Sequence, residues 1–303
     1  MDWRYKALLQ SVLSFIPAGD RVNYLFQRHI TRNLPVDDAK FREIVGIAQR
    51  HLELVRRHGL KPIEDAVFYE FGAGWDLIGP LSFYSQGVDH QILVDIRRLS
   101  RPWLVNNTID RLLTLAPDAA PRRRPRQHVA TGAAFFDTLD RHYGIQYRAP
   151  CDARRTGLQG GSVDYITSTN TLEHVPAADI PPILRECHRL LGSDGVMSFQ
   201  IDYQDHYSYF DSRISAYNYL QYSERGWRKY SQSIHHQNRL RHPDYIRMID
   251  DAGFTVLEQE LNEGSPSDLK TIGRLAVDER FGRYARQELA IRSAFIALRR
   301  KPT

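Results

Sequence analysis

The sequence predicts an α/β fold: a doubly wound, seven-stranded, mostly parallel sheet behind an N-terminal helical cap. Three observations predict it. From Val67 onward, short apolar runs alternate with segments of helical period. The first run leads into a glycine-containing turn, Glu70-Phe71-Gly72-Ala73-Gly74-Trp75-Asp76. Two long polar connections follow later runs, at the strand ends where α/β proteins build their sites. Hydrophobic residues are 42% and charged residues 25% of 303, enough for one large domain or a domain with an appendage.

Residues 1–65 read as the helical cap. Phe41, Ile44, Val45, Ala48, Leu52 and Val55 keep helical spacing, and Gly59 is the expected stop. Trp3, Leu8, Leu9, Val12, Leu13 and Ile16 suggest a second amphipathic helix, packed on the main domain or, alternatively, lying on a membrane surface. Gln10, Ser11 and Ser14 interrupt its apolar side, which argues against a signal peptide. No stretch has the ~20 apolar residues of a spanning helix. Two cysteines, Cys151 and Cys187, make no disulfide framework, so both are expected as buried packing in a reducing, cytoplasmic setting.

The sheet domain is expected over 66–303, with strands at 67–71, 91–95, 146–151, 163–169, 195–202, 255–260 and 291–298. Between the fourth and fifth, Ile180, Ile183, Leu184, Cys187, Leu190 and Leu191 share a helix face, and Pro181-Pro182 occupy its first turn. Another helix opens at Pro243 and stops at Gly253. The connection 96–145 carries Arg122-Arg123-Arg124-Pro125-Arg126, expected as a solvated loop. An insert at about 203–241 is crowded with Tyr, His, Asp and Asn. A net charge of +5 permits anionic substrates, but no concentrated basic face points to nucleic acid.

The turn after the first strand carries the chemistry. Gly72 and Gly74 allow a tight bend and close approach to a ligand. A dinucleotide fingerprint would place a third glycine where Leu77 stands. Asp76, near the next helix start, would repel a pyrophosphate seated there but suits a cation. Asp95 closes the second strand, where a carboxylate can accept hydrogen bonds from both hydroxyls of a ribose.

These residues resemble the motifs of class I (Rossmann-like) S-adenosylmethionine-dependent methyltransferases. Glu70-x-Gly72-x-Gly74 looks like the family's first motif, and Asp95 like its ribose acid. Ala149-Pro150-Cys151-Asp152-Ala153 resembles the third-strand turn. The run Ser162 to Val175 is similar to the fourth-strand motif, and Gly192-Ser193-Asp194-Gly195 to the turn before the fifth strand. The match covers about 66–202 and resumes near 241–300. The chain departs from the pattern at Asp76 and at Ser193-Asp194. The resemblance implies a last strand running antiparallel and S-adenosyl-L-methionine bound over the strand C-termini. Glu70, Gly72 and Gly74 would cradle the methionine end, Asp95 the ribose, Asp152 and Ala153 the adenine, and Asn170 the floor below the sulfonium. Trp75 would cover the cofactor or simply pack.

The acceptor is expected to be a small molecule, methylated on oxygen ahead of nitrogen, with a sugar-like or polyhydroxylated compound as the working guess. An alcohol needs a base, and the candidates are His206, with Asp205 beside it, and His174 after the fourth strand. Asp202, Asp205, His206 and Asp211 also offer ligands of the kind Mg²⁺ takes, but their spacing is no diagnostic motif and no metal is expected. The tyrosines of the insert, with Phe210 and Trp227, are expected to line or cover the acceptor pocket. Two other readings stay open: an NAD-binding oxidoreductase, and a non-catalytic binding protein on the same fold.

Overall fold

A computed structural model describes residues 2–7, 34–114, 121–231 and 236–302. Leu8, Leu9, Val12, Leu13 and Ile16 of the expected second N-terminal helix lie outside the described residues. Seven strands form one sheet in the order β3-β2-β1-β4-β5-β7-β6. They are β1 (Val67–Phe71), β2 (His90–Val94), β3 (Ile145–Arg148), β4 (Val163–Thr169), β5 (Leu191–Asp202), β6 (Phe254–Asn262) and β7 (Ser293–Arg300). Pairing is parallel from β3 across to β5, and β7 runs antiparallel between β5 and β6. All seven expected strands are present, the first and fourth at their expected bounds and the others with ends shifted by up to four residues.

Strand alternation divides the core into two faces. Tyr69, Phe71, Ile166, Met197 and Phe199 pack against the helices Ile180–Leu190 and His242–Asp251. On the opposite face, Phe68, Tyr165 and Val196 meet Ala48, Leu52 and Val55 of the helix Asp38–His58. That helix ends as expected, with the Gly59 N–H donating to the Val55 carbonyl. Its upper part, Phe41 and Val45, joins Leu81, Val105, Ile109 and Leu139 from the crossover helices. His51, fully buried, ties it to the sheet through Ser198 Oγ (2.7 Å) and Thr169 Oγ1 (3.1 Å).

Two expectations change. The segment Gly192-Ser193-Asp194-Gly195 is not a separate turn: β5 begins at Leu191, pairs with Val163, and then shifts register at a bulge. The basic run is exposed at Arg122, Arg124 and Arg126, whereas Arg123 turns inward. Arg123 donates to the carbonyls of Tyr84 and Val88 and lies on the Tyr84 ring, and Arg122 pairs with Glu64. Planar guanidinium groups can stack and donate at once, so Arg123 staples its loop to the connection that leads into β2.

The insert builds a small core of its own. Tyr207, Tyr217, Tyr219, Leu220 and Trp227 are buried with Trp3, Ile272, Phe281 and Leu289. Arg241 fastens this core to the sheet. Its fully buried guanidinium donates to the carbonyls of Tyr203 (2.7 Å), Leu289 (2.9 Å) and Ile291, and to the Tyr219 hydroxyl. Removing it would take this donor from the Leu289 and Ile291 carbonyls, at the cost of desolvated acceptors. Arg241→Met should therefore lower unfolding free energy by about 3 kcal/mol or more, read from the urea midpoint; an unchanged midpoint would show that the insert stands without this tie.

Candidate functional site

Strand order reverses around β1, which has β2 on one side and β4 on the other. Loops leaving β1 and β4 part there and open a crevice. The loop after β1 turns on Gly72 (φ +79°) and Gly74 (φ +75°). A Cβ at Gly72 would strike the Thr171 side chain at 2.4 Å, so the backbone of the β1 loop lies directly against a side chain of the β4 loop. At Gly74 a Cβ would meet nothing within 4 Å, because that side faces the crevice. Leu77 is also left-handed (φ 53°) although buried, so the turn keeps the backbone of a third glycine without the residue. Asp76 lies just before the helix Ile78–Ser85; burial raises its pKa, and its Oδ1 accepts from the Ile78 N–H at 3.5 Å.

The crevice holds a pocket of about 400 Å³. Of the residues expected to bind cofactor, Gly72, Gly74, Asp95, Asp152, Ala153 and Asn170 all border it. Asp95 follows β2 directly, and its Oδ1 accepts from the Arg97 N–H at 3.0 Å. Asp152 is held by Arg154 at 2.7 Å, which keeps its carboxyl below the usual range. Asn170 sits in a left-handed conformation (φ 47°), and its buried Oδ1 has no hydrogen-bond partner among the described residues. Glu70 does not reach the pocket surface; it lies buried at the end of β1, where burial pushes its pKa up to about 8. Trp75 does not border the pocket and instead packs under Arg101. Cys187 is buried as expected, but Cys151 is half-buried and borders the pocket.

One end of the pocket is polar. His174, from the turn Leu172–His174 after β4, faces it, with Nδ1 2.8 Å from the His236 carbonyl. Crowding by protein, and then the neighbouring His206, push the His174 pKa down to about 4, so the ring is neutral. The His206 ring lies behind, 4.8 Å away between centroids, and its Nε2 is 3.2 Å from Asp202 Oδ2. Burial alone would raise Asp202, but hydrogen bonds from His206 and the Tyr209 hydroxyl bring it below its ordinary value. Glu173 completes the group. Its side chain is 2% exposed, neither carboxylate oxygen has a partner among the described residues, and burial raises its pKa well above the usual range.

Other expected site residues are not brought here. Asp205 is buried within the insert, accepting from the Tyr207 N–H and Asn218 Nδ2, both at 2.8 Å; it caps the turn that carries His206. Asp211 accepts from the Trp3 N–H and from Arg213. The acid cluster 202–211 is thus divided, and only Asp202 and His206 stay together. Most of the insert's aromatic rings pack against one another and do not line the pocket. Glu173 is the group that sequence reasoning passed over. Its signal was a carboxylate beside His174 after a strand end, which reads equally well as a structural turn.

A family model described as "Methyltransferase domain" matches residues 52–259. No curated protein sequence matches the chain. Among solved structures, the chain is similar to 1,6-didemethyltoxoflavin-N1-methyltransferase from Burkholderia thailandensis, at 14% identity and a TM-score of 0.48, over 99% of this chain and 90% of that one. It is also similar to geranyl diphosphate C-methyltransferase from Streptomyces coelicolor A3(2), at 11% identity and a TM-score of 0.47, over 88% and 86%. Neither likeness bears on the acceptor of this chain.

Glu70 makes a pH prediction. With a pKa near 8 against an ordinary 4.5, the folded state keeps a proton that the unfolded chain releases. Its contribution to stability therefore falls as pH rises from about 4.5 to 8. Glu70→Gln should gain stability relative to the parent across that window, seen as a melting-temperature difference that widens from pH 5 to 8. A difference independent of pH would show that Glu70 is already ionised.

Proposed function

The chain belongs to the methyltransferase-domain family, the class I S-adenosylmethionine-dependent methyltransferases, and on that premise we propose that it methylates a small molecule on oxygen. The observation that carries this reading is the pocket itself: cofactor-type groups from four strand ends at one side, and at the other a polar wall of His174 backed by His206, Asp202 and Glu173. The residues fit the cofactor. Carboxylates, an unpartnered Asn170 oxygen and an open glycine edge suit a ligand that carries cationic groups and hydroxyl donors. Bound there, S-adenosylmethionine supplies an already activated methyl group, which leaves the protein to orient the acceptor and exclude water.

In this reading Asp95 holds the ribose hydroxyls, Asp152 and Ala153 border the adenine, and Asn170 faces the sulfonium end. Gly72 and Gly74 admit the methionine portion. Glu70 acts from below, through the backbone of the turn it begins. The reacting oxygen of the acceptor lies against His174, and His206 is kept in place by Asp202. A hydroxyl suits the neutral His174 ring, whose Nδ1 donates to the His236 carbonyl and whose Nε2 is an acceptor. His174, with its low pKa, is a poor acceptor for an alcohol proton but a good orienting group.

Asp95→Ala should weaken S-adenosylhomocysteine binding at least tenfold, ~1.4 kcal/mol, by calorimetry. Unchanged affinity would remove the ribose assignment. His206→Ala should slow turnover by about tenfold or more while leaving that affinity nearly intact. Parental turnover with any accepted hydroxyl compound would mean that the polar wall is not the acceptor end.

A further inference from the structure

We propose that Glu173, His174 and His206 form a binding site for one divalent transition-metal ion at the acceptor end of the pocket. The role of the ion rests on the methyltransferase reading, but the site stands on its own geometry. One ligand atom from each residue lies within 4.8 Å of the others. Bonds of ~2 Å to a shared ion put tetrahedral ligand atoms roughly 3.4 Å apart, and rotation of the imidazoles and of the Glu173 carboxylate would close that distance. The ligands come from two loops, after β4 and after β5, so the sheet itself brings them together.

A second observation points to a cation independently. Glu173 is buried and neither of its oxygens has a partner among the described residues, although a lone buried carboxylate is costly. A metal ion in the cluster satisfies it. The surroundings also match the outer support usual around metal-bound histidines, in which one ring nitrogen is held by a carbonyl or carboxylate. His174 Nδ1 has the His236 carbonyl at 2.8 Å, and His206 Nε2 has Asp202 at 3.2 Å. Asp202 is in turn held by the Gln204 N–H at 2.9 Å and by the Tyr209 hydroxyl. A metal ion would take the other ring nitrogen of each histidine.

The donor set decides the kind of ion. Two imidazoles and one carboxylate suit Zn²⁺, Mn²⁺ or Fe²⁺, whereas Mg²⁺ and Ca²⁺ prefer oxygen throughout. Three protein ligands leave coordination positions open. His174 is the ligand that borders the pocket, so the open side faces the acceptor. An acceptor hydroxyl bound to the ion would release its proton to water more readily, and its oxygen would keep the electron pair used for the attack on the methyl group. A weakly basic histidine then suffices, because it serves as a ligand.

The test uses the full chain after chelator treatment, titrated with Zn²⁺ and separately with Mn²⁺ by calorimetry, with S-adenosylhomocysteine binding measured on the same samples. One saturable metal site per chain is expected. Glu173→Gln, nearly isosteric, and His206→Ala should each weaken Zn²⁺ at least tenfold, and Asp202→Asn by about 10- to 100-fold. Co²⁺ should give a visible absorption band that both ligand variants lose. Absence of a saturable site, or Zn²⁺ affinity unchanged in both ligand variants, overturns the proposal. If metal binds as expected but the parent chain fails to bind S-adenosylhomocysteine, the metal site stands and the methyltransferase reading falls.

Discussion

The reversal of strand order around β1 is the constraint on which the rest of the molecule depends. The crossover from β1 to β2 runs one way along the sheet and the one from β4 to β5 runs the other. Right-handed crossovers then force their helices onto opposite faces. No connecting segment can fill the gap between the two loops. Gly72 lets these loops touch at their bases while the pocket opens above them. Asn170, Thr171 and His174 are placed at the pocket by this arrangement, because their loop continues β4.

The second organising feature is the burial of charge. Arg241 and Arg239 are both almost fully enclosed, each donating to backbone carbonyls of the insert or the segment that leads into β7. They convert an irregular insert into a fixed wall. Asp205 and Asp211 serve the same purpose from the acidic side by capping turns. Because the insert is held from behind, His206 and Asp202 meet the β4 loop in a fixed position. The polar end of the pocket is therefore a joint between two rigid parts.

The polar wall itself carries an electrostatic burden. Glu173 is driven toward its neutral form by burial and by Asp202, and His174 toward its neutral form by its surroundings. The oxygens of Glu173, unpartnered among the described residues, lie together with the His174 and His206 rings there, where an acceptor hydroxyl or a divalent cation finds groups to meet.

Much of the fold was legible in the amino-acid order because it rests on local periodicities. Alternating apolar runs mark the strands, helical spacing marks Asp38–His58 and Ile180–Leu190, and glycines mark the turn after β1. The cofactor-type residues were legible for a related reason: each sits at a strand end, a position that sequence order reveals. Gly72, Gly74, Asp95, Asp152, Ala153 and Asn170 converge because parallel strands end on one edge. What the tertiary structure alone decided is the direction of side chains in irregular segments. The aromatic residues of the insert could have faced the pocket or one another, and composition does not distinguish the two. Asp205 and His206 are neighbours in sequence, yet one caps a turn inside the insert and the other meets His174 from a different loop. Glu173 gains its isolation only from the groups folded around it. Periodicity is a property of neighbours along the chain, whereas burial and long-range pairing depend on residues that only the fold brings near.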